Sequence, residues 1–284
     1  MIMKGFINLI KPKGMSSAYA VGAVKHKLKM PCGHMGTLDP MAEGVLPVGI
    51  GHASRLFQYL LDKEKTYVAR FQFGFSTDTL DVTGEILEKT SVIPTAEQIT
   101  SVLPDFVGEI DQIPPKYSAK CVDGKRGYAL ARAGVDFELK PKKVTVLSAK
   151  LNGQMAENEF EFEFVCKGGT YIRSLARDIA AKCGSLGVMS ALNRTAAGVF
   201  TLANGVSVEE FKSCLDIEKY LIKPEEVVNF PVIKLSARQA QKILDGVYED
   251  YGFSDGVYKV YNQTEFWGIG TAKGGKLRIN TYVR

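Results

Sequence analysis

Alternating apolar and polar side chains mark two segments of the chain most clearly. In residues 159–166, three phenylalanines alternate with three glutamates. Residues 66–73 alternate as well, and Tyr67 falls on the same predicted face as Phe71 and Phe73. A period of two residues is typical of a β-strand that buries one face. We therefore predict two strands here, and the pattern alone favours core packing for Tyr67.

Apolar residues spaced three and four positions apart predict helices elsewhere. Residues 170–182 follow this spacing over two turns. A similar spacing follows Ser16 and Ser17, which offer an N-cap for a helix that runs to about residue 29. The remaining elements are patterned less sharply: strands at 5–10 and 44–50, a helix at 52–63, and a loop rich in glycine and proline at 31–43.

The order of these elements predicts the fold class and two domains. Strands and helices mix without a regular βαβ alternation, which favours an α+β fold with a mixed, largely antiparallel sheet. Two prolines flank an acidic stretch in residues 223–231, where we expect a boundary. A helix at 236–244 and three short strands follow it. We therefore predict domains at 1–225 and 226–284, the second small and β-rich.

The composition excludes several classes of protein. The five cysteines show no CxxC spacing and only three histidines are present, so neither a disulfide framework nor a structural metal site is expected. The N-terminus lacks the apolar core of a secretory signal, and no apolar run reaches the roughly 18 residues of a membrane span. We expect a reduced cytoplasmic protein without a metal.

Positive charge is concentrated in two parts of the chain, whose formal net charge is +5. Six lysines and no acidic residue precede Asp39, and residues 115–143 carry eight basic against three acidic residues. Such stretches favour a polyanionic partner, with nucleic acid first among them. A solvated basic surface is the alternative that charge alone leaves open.

A single carboxylate stands out in the loop at 33–40. Two glycines and Pro40 bracket Asp39, which is the first acidic residue of the chain. Neighbouring positive charge would keep this carboxylate ionised, as a nucleophile or a base requires. An Asp-Pro pair that merely begins a turn is the alternative reading.

Seven short blocks give this loop a context. They include Lys-Pro-Lys-Gly-Met-Ser-Ser at 11–17, Gly-Thr-Leu-Asp-Pro at 36–40 and Gly-Thr-Tyr-Ile-Arg-Ser-Leu at 169–175. The other four lie at 44–47, 65–67, 77–81 and 114–119. In order and approximate spacing, the blocks closely resemble the TruB family, the bacterial tRNA pseudouridine-55 synthases.

The resemblance implies a pseudouridine-synthase fold and a cofactor-free isomerase. Family enzymes flip a T-loop uridine, cleave its N-glycosidic bond and rejoin the base to the sugar through carbon 5. Asp39 then matches the essential aspartate, and Tyr67 matches a tyrosine that stacks on the base. Arg173 matches the arginine that pairs with the aspartate, and Asp81 matches a second acid of that network. A surface arginine and a turn aspartate are the plainer alternatives.

The resemblance also implies the contacts with RNA. His34 would fill the space that the flipped base leaves, and Tyr171 and Leu192 would line the uridine pocket, although core packing explains the last two equally well. Residues 115–143 match an RNA-gripping insertion, and 226–284 match a PUA-like RNA-binding module. The further substrate-binding candidates are Lys11, Lys116, Lys120, Lys125 and Arg126.

Two other functions compete with this hypothesis. A non-catalytic tRNA chaperone would use the same groove, but it would not require Asp39, Tyr67 and Arg173 together. A carboxylate-based hydrolase of free nucleosides would leave the basic residues 115–143 unexplained. We expect the T-arm of tRNA as the partner and a monomer without an obligate protein partner.

Overall fold

A computed structural model describes residues 3–118, 121–122, 125–126, 133, 135 and 137–283, with the backbone alone at 121–122 and 125–126. In this part of the chain, an 11-stranded mixed sheet dominates, and its main path runs β14-β1-β3-β12-β4-β11-β10-β7. The path strands are β1 Gly5–Lys11, β3 Glu43–Ile50, β4 Lys65–Phe73, β7 Gly108–Gln112, β10 Lys142–Ala156, β11 Glu159–Cys166, β12 Gly187–Ala197 and β14 Val206–Ser207.

Short strands extend this sheet or form separate hairpins. β2 Cys32–His34 pairs with β3, β13 Phe200–Thr201 with β12, and β15 Leu221–Ile222 with β1. Two hairpins stand apart: β5 Phe75–Thr77 with β6 Ile86–Lys89, and β8 Cys121–Val122 with β9 Lys125–Arg126. Parallel and antiparallel pairs occur together with helices, so the predicted α+β class with a mixed sheet is confirmed.

The two strands that alternate most clearly in sequence are adjacent in the sheet. β4 and β11 pair antiparallel and bury the same face. The rings of Phe71 and Phe162 lie 4.6 Å apart, and those of Phe71 and Phe164 lie 5.6 Å apart. Rings at these distances bury a large apolar area and attract one another. The strand periodicity of the sequence is therefore confirmed, and it locates the core beneath β4.

Five α-helices and five 3₁₀ helices are found among the described residues. The α-helices are α1 Ser17–Leu28, α2 Ala96–Val102, α3 Ile172–Lys182, α4 Val208–Ser213 and α5 Ala237–Leu244. The 3₁₀ helices are Gly51–Tyr59, Leu103–Phe106, Leu202–Asn204, Glu218–Tyr220 and Pro224–Glu226. The Ser16 hydroxyl caps α1 by accepting from the Tyr19 amide at 3.1 Å, as predicted. No helix among the described residues is long and apolar enough to cross a membrane.

The structure differs from the sequence prediction in several elements, and it adds β5, β6, β7, β10 and α2, which were not predicted. The predicted loop at 31–43 contains β2, and the predicted helix at 52–63 is the 3₁₀ helix Gly51–Tyr59. β12 was not predicted, because its pairing with β4 shifts register between Met189 and Ala191 and again between Arg194 and Ala196. Each shift breaks the alternation by which a strand is recognised.

A second sheet of five strands lies in the segment predicted to be β-rich, in the order β16-β18-β19-β20-β17. Its strands are β16 Val232–Leu235, β17 Asp250–Phe253, β18 Gly256–Asn262, β19 Glu265–Lys273 and β20 Gly275–Tyr282. Phe266 and Val283 pack in one buried cluster with Phe6 and Leu56. The two sheets therefore share an apolar contact around the 3₁₀ helix Gly51–Tyr59.

Candidate active site

A cleft of about 450 Å³ opens where β4 and β12 meet the loop at 36–40 and the first turn of α3. Its volume suits a ligand of nucleoside size. Five of the predicted site residues line it: Asp39, Tyr67, Tyr171, Arg173 and Leu192. The long-range contacts of the fold thus bring together side chains that lie far apart in sequence.

Arg173 connects the separate walls of this cleft. Its Nε lies 2.9 Å from Oδ2 of Asp39, and its Nη1 lies 3.6 Å from Oδ2 of Asp81. Nη1 donates to the Thr79 carbonyl and Nη2 to the Tyr117 carbonyl, both at 2.9 Å. A planar guanidinium can make these contacts in several directions at once. Arg173 thereby fixes the position of the Asp39 carboxylate relative to three other segments.

Arg173 lies at a position in its helix where a positive charge needs nearby carboxylates to compensate it. The residue lies in the first turn of α3 and is 6% exposed. The positive end of a helix dipole disfavours a cation there, and burial disfavours it further. Asp39 and Asp81 supply the compensating negative charge. The three side chains therefore form one interdependent network.

Asp81 is held firmly on its other side. Its Oδ1 accepts from the Thr79 hydroxyl at 2.9 Å and from the Thr83 amide at 3.0 Å. The preceding residue, Leu80, has a φ of +60°, which a leucine seldom adopts. A residue keeps such a strained backbone conformation only where the surrounding contacts enforce it. The turn that positions Asp81 is therefore maintained by the structure around it.

Asp39 differs from Asp81 in its exposure. The side chain of Asp39 is 35% exposed, whereas that of Asp81 is 6% exposed. Burial of the rest of the group raises the pKa of Asp39 above its ordinary value, and Arg173 acts in the opposite direction. Neighbouring cations lower this pKa as predicted, but burial raises it by more. Asp39 is the network carboxylate that a ligand in the cleft can reach.

The loop that carries Asp39 is fastened from the side of α1. The buried Ser17 hydroxyl donates to the Leu38 carbonyl at 2.8 Å and accepts from the Leu38 amide at 2.9 Å. The Gly14 amide donates to the Pro40 carbonyl at 2.7 Å. These bonds span the residues on both sides of Asp39. They restrict the direction in which its carboxylate can point.

Lys11 helps to hold the loop that carries Asp39, and its side chain does not lie on a surface that RNA could contact. Its side chain is fully buried, and its Nζ donates to carbonyls of Met15 at 2.7 Å and Ala42 at 2.5 Å. Burial lowers the pKa of Lys11 to about 8, although Asp39 and Glu43 oppose the shift. An ammonium enclosed in this way has no path to an RNA phosphate. The prediction that Lys11 binds substrate directly is therefore corrected.

Tyr67 combines two roles that the sequence left as alternatives. The ring belongs to the main core cluster and is 8% exposed, yet it also lines the cleft. Burial raises the pKa of its hydroxyl above the ordinary value, against a hydrogen bond from Arg194 that lowers it. Tyr67 thus presents one edge to a ligand while its body is held by the core.

Arg194 is a residue of the site that the sequence analysis missed. It is 1% exposed, its Nε donates to the Val45 carbonyl at 2.7 Å, and its Nη2 donates to the Gly36 carbonyl at 3.2 Å. Arg194 therefore joins β3, the loop that carries Asp39, and Tyr67. A lone arginine within an otherwise small and apolar run was the signal available in the sequence.

Gln112 and Lys65 were missed as well. The buried Gln112 side chain accepts from the Tyr171 amide at 2.8 Å and donates to the Tyr171 carbonyl at 3.1 Å. This pair of bonds fixes Tyr171 at the start of α3. Lys65 lines the cleft, and its Nζ donates to the Leu61 carbonyl at 2.9 Å.

The other predicted binding residues lie outside the cleft or outside the described residues. His34 lies on β2, paired opposite Val48, and burial lowers the pKa of its imidazole. Lys116 lies beside Tyr117, which lines the cleft. The structure does not describe Lys120, nor the side chains of Lys125 and Arg126, so the predicted RNA-gripping role of 115–143 remains a prediction.

Arg194→Lys is expected to slow conversion of bound substrate by about 10²-fold, because a 1 Å displacement of a positioned group can cost that much. A single ammonium cannot reproduce the divergent bonds to Gly36, Val45 and Tyr67. Single-turnover rates at saturating enzyme measure the effect. Arg70→Lys, on the neighbouring strand β4, is the matched control and should leave the rate unchanged. Equal rates for the two variants would exclude a positioning role for Arg194.

The raised pKa of Asp39 predicts the acid limb of the pH profile. In the predicted role of nucleophile or base, Asp39 acts as the carboxylate, so the rate is expected to fall as the pH falls through this pKa. Because the pKa is raised, the fall begins at a higher pH than the ordinary aspartate value of about 3.9 would give. Single-turnover rates followed towards low pH should show a limb of unit slope with a midpoint above the ordinary aspartate value. A midpoint at or below that value would contradict the assignment.

Comparison with known proteins identifies the family. A family model described as TruB family pseudouridylate synthase (N terminal domain) matches residues 25–172. The tRNA pseudouridine synthase B of Caldanaerobacter subterraneus subsp. tengcongensis is 40% identical, over 98% of this chain and 98% of its own. That of Aquifex aeolicus is 40% identical, over 97% of this chain and 98% of its own.

A solved structure shares the fold. One chain of an H/ACA ribonucleoprotein, bound to a substrate RNA that contains 2′-deoxyuridine, superposes with a TM-score of 0.71. It is 21% identical, and the match covers 99% of this chain and 85% of that one. At such identity the likeness concerns the fold, whereas the sequence matches extend along nearly the whole chain. The chain therefore belongs to the TruB family of pseudouridylate synthases.

Proposed function

We propose that this protein converts the T-loop uridine at position 55 of tRNA into pseudouridine. The observation that carries the proposal is the Asp39 carboxylate, exposed in a nucleoside-sized cleft and held at 2.9 Å by Arg173. Relatives that are 40% identical along nearly their full length are named tRNA pseudouridine synthase B. The geometry supports the chemistry, and the relatives support the substrate.

The reaction is an isomerisation and balances without a second reactant. The bond between C1′ of the ribose and N1 of uracil breaks, and a bond between C1′ and C5 forms. C5 loses its proton, and N1 gains one. An ionised carboxylate beside C1′ can stabilise or trap the electron-poor sugar carbon, as in glycosidases. Asp39 performs this role by attack on C1′. In the alternative route, Asp39 removes a proton from the sugar and returns it after the new bond from C1′ to C5 has formed.

The remaining side chains hold the uracil while it is detached and turned. Tyr67, Tyr171 and Leu192 line the cleft beside Asp39 and offer apolar surfaces for the base. A uridine stacked within the T-loop cannot place its sugar beside Asp39 in the cleft, so the nucleotide is flipped into it. In this proposal Tyr67 also assists removal of the C5 proton, which its place in the lining of the cleft supports.

The tRNA is bound through its T-arm, whose folded shape is the feature recognised. Tyr117, near the start of the basic residues 115–143, lines the cleft. Lys116, Lys120, Lys125 and Arg126 are the proposed phosphate contacts. Residues 226–284 act as a PUA-like module that steadies the RNA. The protein works as a cytoplasmic monomer, without a cofactor or an obligate protein partner.

The proposal is tested by mapping pseudouridine in an unmodified tRNA transcript after incubation with the protein. Carbodiimide modification followed by primer extension locates each pseudouridine. A single stop at the T-loop uridine is expected, and it should vanish when this uridine is replaced by cytidine. Modification at another uridine, with the T-loop untouched, would overturn the assigned position.

The same transcript distinguishes the two competing functions. A tRNA chaperone would bind the transcript and leave no pseudouridine in it, although the protein is folded. A nucleoside hydrolase would instead release uracil from free uridine in the absence of RNA. The clustering of Asp39, Tyr67 and Arg173 in one cleft favours conversion within the polynucleotide.

A further inference from the structure

A series of shallow clefts continues the active-site cleft along the surface of α1. Leu192 lines both the active-site cleft and a second cleft, which Lys13 also borders. Lys13 borders a third cleft, which reaches Tyr19. Tyr19 also borders a fourth cleft, which lies between α1 and α4. His26 lines both this fourth cleft and a fifth cleft at the end of α1. Neighbouring clefts share a lining residue, so they adjoin one another and define a path along this surface. The second cleft also contains Glu43 and Glu161.

We call the part of this path beyond Lys13 the α1 track. It is defined by Lys13, Tyr19, Lys25, His26, Lys29 and Lys212, all of which are exposed. Its length is about 18 Å, because α1 has 12 residues that rise about 1.5 Å each. That distance accommodates several nucleotides of an extended strand.

The α1 track carries only positive charge. No carboxylate occurs among the described residues that line the three clefts along α1. None of the ion pairs found in the described part of the chain involves Lys13, Lys25 or Lys29. Unpaired lysines along a groove are the electrostatic pattern of a site for a phosphate backbone. Three of the six lysines that precede Asp39 thereby lie along one surface: Lys13, Lys25 and Lys29.

An exposed aromatic ring lies within these cations. Tyr19 is 61% exposed, and the Nζ of Lys212 lies 5.0 Å from the centre of its ring. An aromatic ring beside lysines is the combination on which proteins stack the bases of single-stranded nucleic acid. Core packing does not account for Tyr19, since its ring faces solvent.

The place of α1 in the fold separates this track from the proposed T-arm contacts. α1 packs against β1, β2 and β3, near one edge of the large sheet. β7, which residues 115–118 follow, is the strand at the other end of the path, and Tyr117 and Ser118 line the active-site cleft. The cleft, on β4 and β12, therefore lies between α1 and β7. An RNA whose T-arm lies on the side of β7 thus meets the α1 track with a different segment.

We propose that the α1 track binds the sugar–phosphate backbone of a tRNA segment outside the T-arm, with one base stacked on Tyr19. The inference rests on the proposed function for the nature of the RNA. Its consequence is that whole tRNA binds more tightly than an isolated T-arm hairpin. The additional affinity depends on charge and is therefore sensitive to salt.

The first test compares two double variants on two RNAs. Lys25→Ala with Lys29→Ala removes two charges from the α1 track, whereas Lys89→Ala with Lys150→Ala removes two from exposed positions on β6 and β10 that line none of these clefts. Filter binding is measured from 50 to 300 mM salt with whole tRNA and with the hairpin. Circular dichroism confirms that each variant is folded, and Lys25→Gln with Lys29→Gln replaces the first variant if it is not.

The track variant should bind whole tRNA roughly tenfold more weakly, with a salt slope smaller by about 2, and bind the hairpin normally. The control variant should match the wild type on both RNAs. Unchanged binding of whole tRNA by the track variant would overturn the proposal and leave the surface for a protein partner. Equal weakening on both RNAs would overturn it as well, because the track would then contact the T-arm.

A photo-crosslink gives an independent test. p-Benzoylphenylalanine replaces Tyr19, the complex with whole tRNA is irradiated, and the attached nucleotide is mapped by primer extension. A crosslink outside the T-arm is expected, whereas one within it, or none, contradicts the proposal. Conversion of the hairpin by the wild type is followed separately. If conversion fails while the crosslink forms, the proposed reaction is wrong and the RNA site stands.

Discussion

Asp39→Asn should abolish conversion and leave tRNA binding within about threefold of the wild type. Asparagine has the same shape, but it cannot act as a nucleophile or a base, and loss of such a group costs on the order of 10⁴-fold or more. Binding persists because most of the affinity comes from phosphate contacts away from the cleft. Single-turnover conversion and filter binding, measured on the same preparation, separate the two effects.

The alternative outcomes of this substitution are distinct. A parallel loss of binding would show that Asp39 supports the RNA site instead of the chemistry. Retention of substantial conversion would move the reactive group elsewhere, since no other carboxylate lines the cleft among the described residues. Asp78→Asn is the matched control, because this aspartate precedes the Asp81 turn without contacting Arg173.

Arg173→Lys should slow conversion by about 10²-fold or more and lower the melting temperature. Lysine keeps the charge, but one ammonium cannot hold Asp39 and Asp81 while it donates to the Thr79 and Tyr117 carbonyls. A buried acceptor left without a partner costs about 1–3 kcal/mol. Single-turnover rates and thermal unfolding measure the two effects.

The pH profile distinguishes a positioning role for Arg173 from a purely structural one. Weaker stabilisation of the carboxylate raises the pKa of Asp39 further, so the acid limb of Arg173→Lys should move to higher pH. Arg177→Lys, one turn further along α3, is the control and should retain the wild-type profile. An acid limb that is identical in all three proteins would exclude electrostatic support of Asp39 by Arg173.

The sequence predicted the parts of the site that depend on local pattern. The alternation at 66–73 placed Tyr67 on the buried face of β4, and the glycines and proline at 33–40 isolated Asp39 in a loop. Helical spacing placed Arg173 near the start of a helix. Each of these predictions depends only on neighbouring residues, whose preferences the fold preserved.

The contacts between those parts required the structure. Arg173 and the Thr79 carbonyl are 94 positions apart, and no local pattern relates them. Arg194 lies on β12, where two register shifts interrupt the alternation. The sequence pattern therefore does not show on which face of the sheet its side chain lies. Lys11 was misassigned for a related reason: a lysine is usually exposed, and only the tertiary fold surrounds this one with carbonyl oxygens.

The most direct measurement of the central claim is the release of tritium from tRNA labelled at carbon 5 of its uridines. Isomerisation replaces the bond from C5 to hydrogen by the bond from C5 to C1′, so tritium passes into water. The account predicts release of one equivalent from the T-loop uridine per tRNA, and none when that uridine is replaced by cytidine. A folded protein that binds the labelled tRNA and releases no tritium would contradict it.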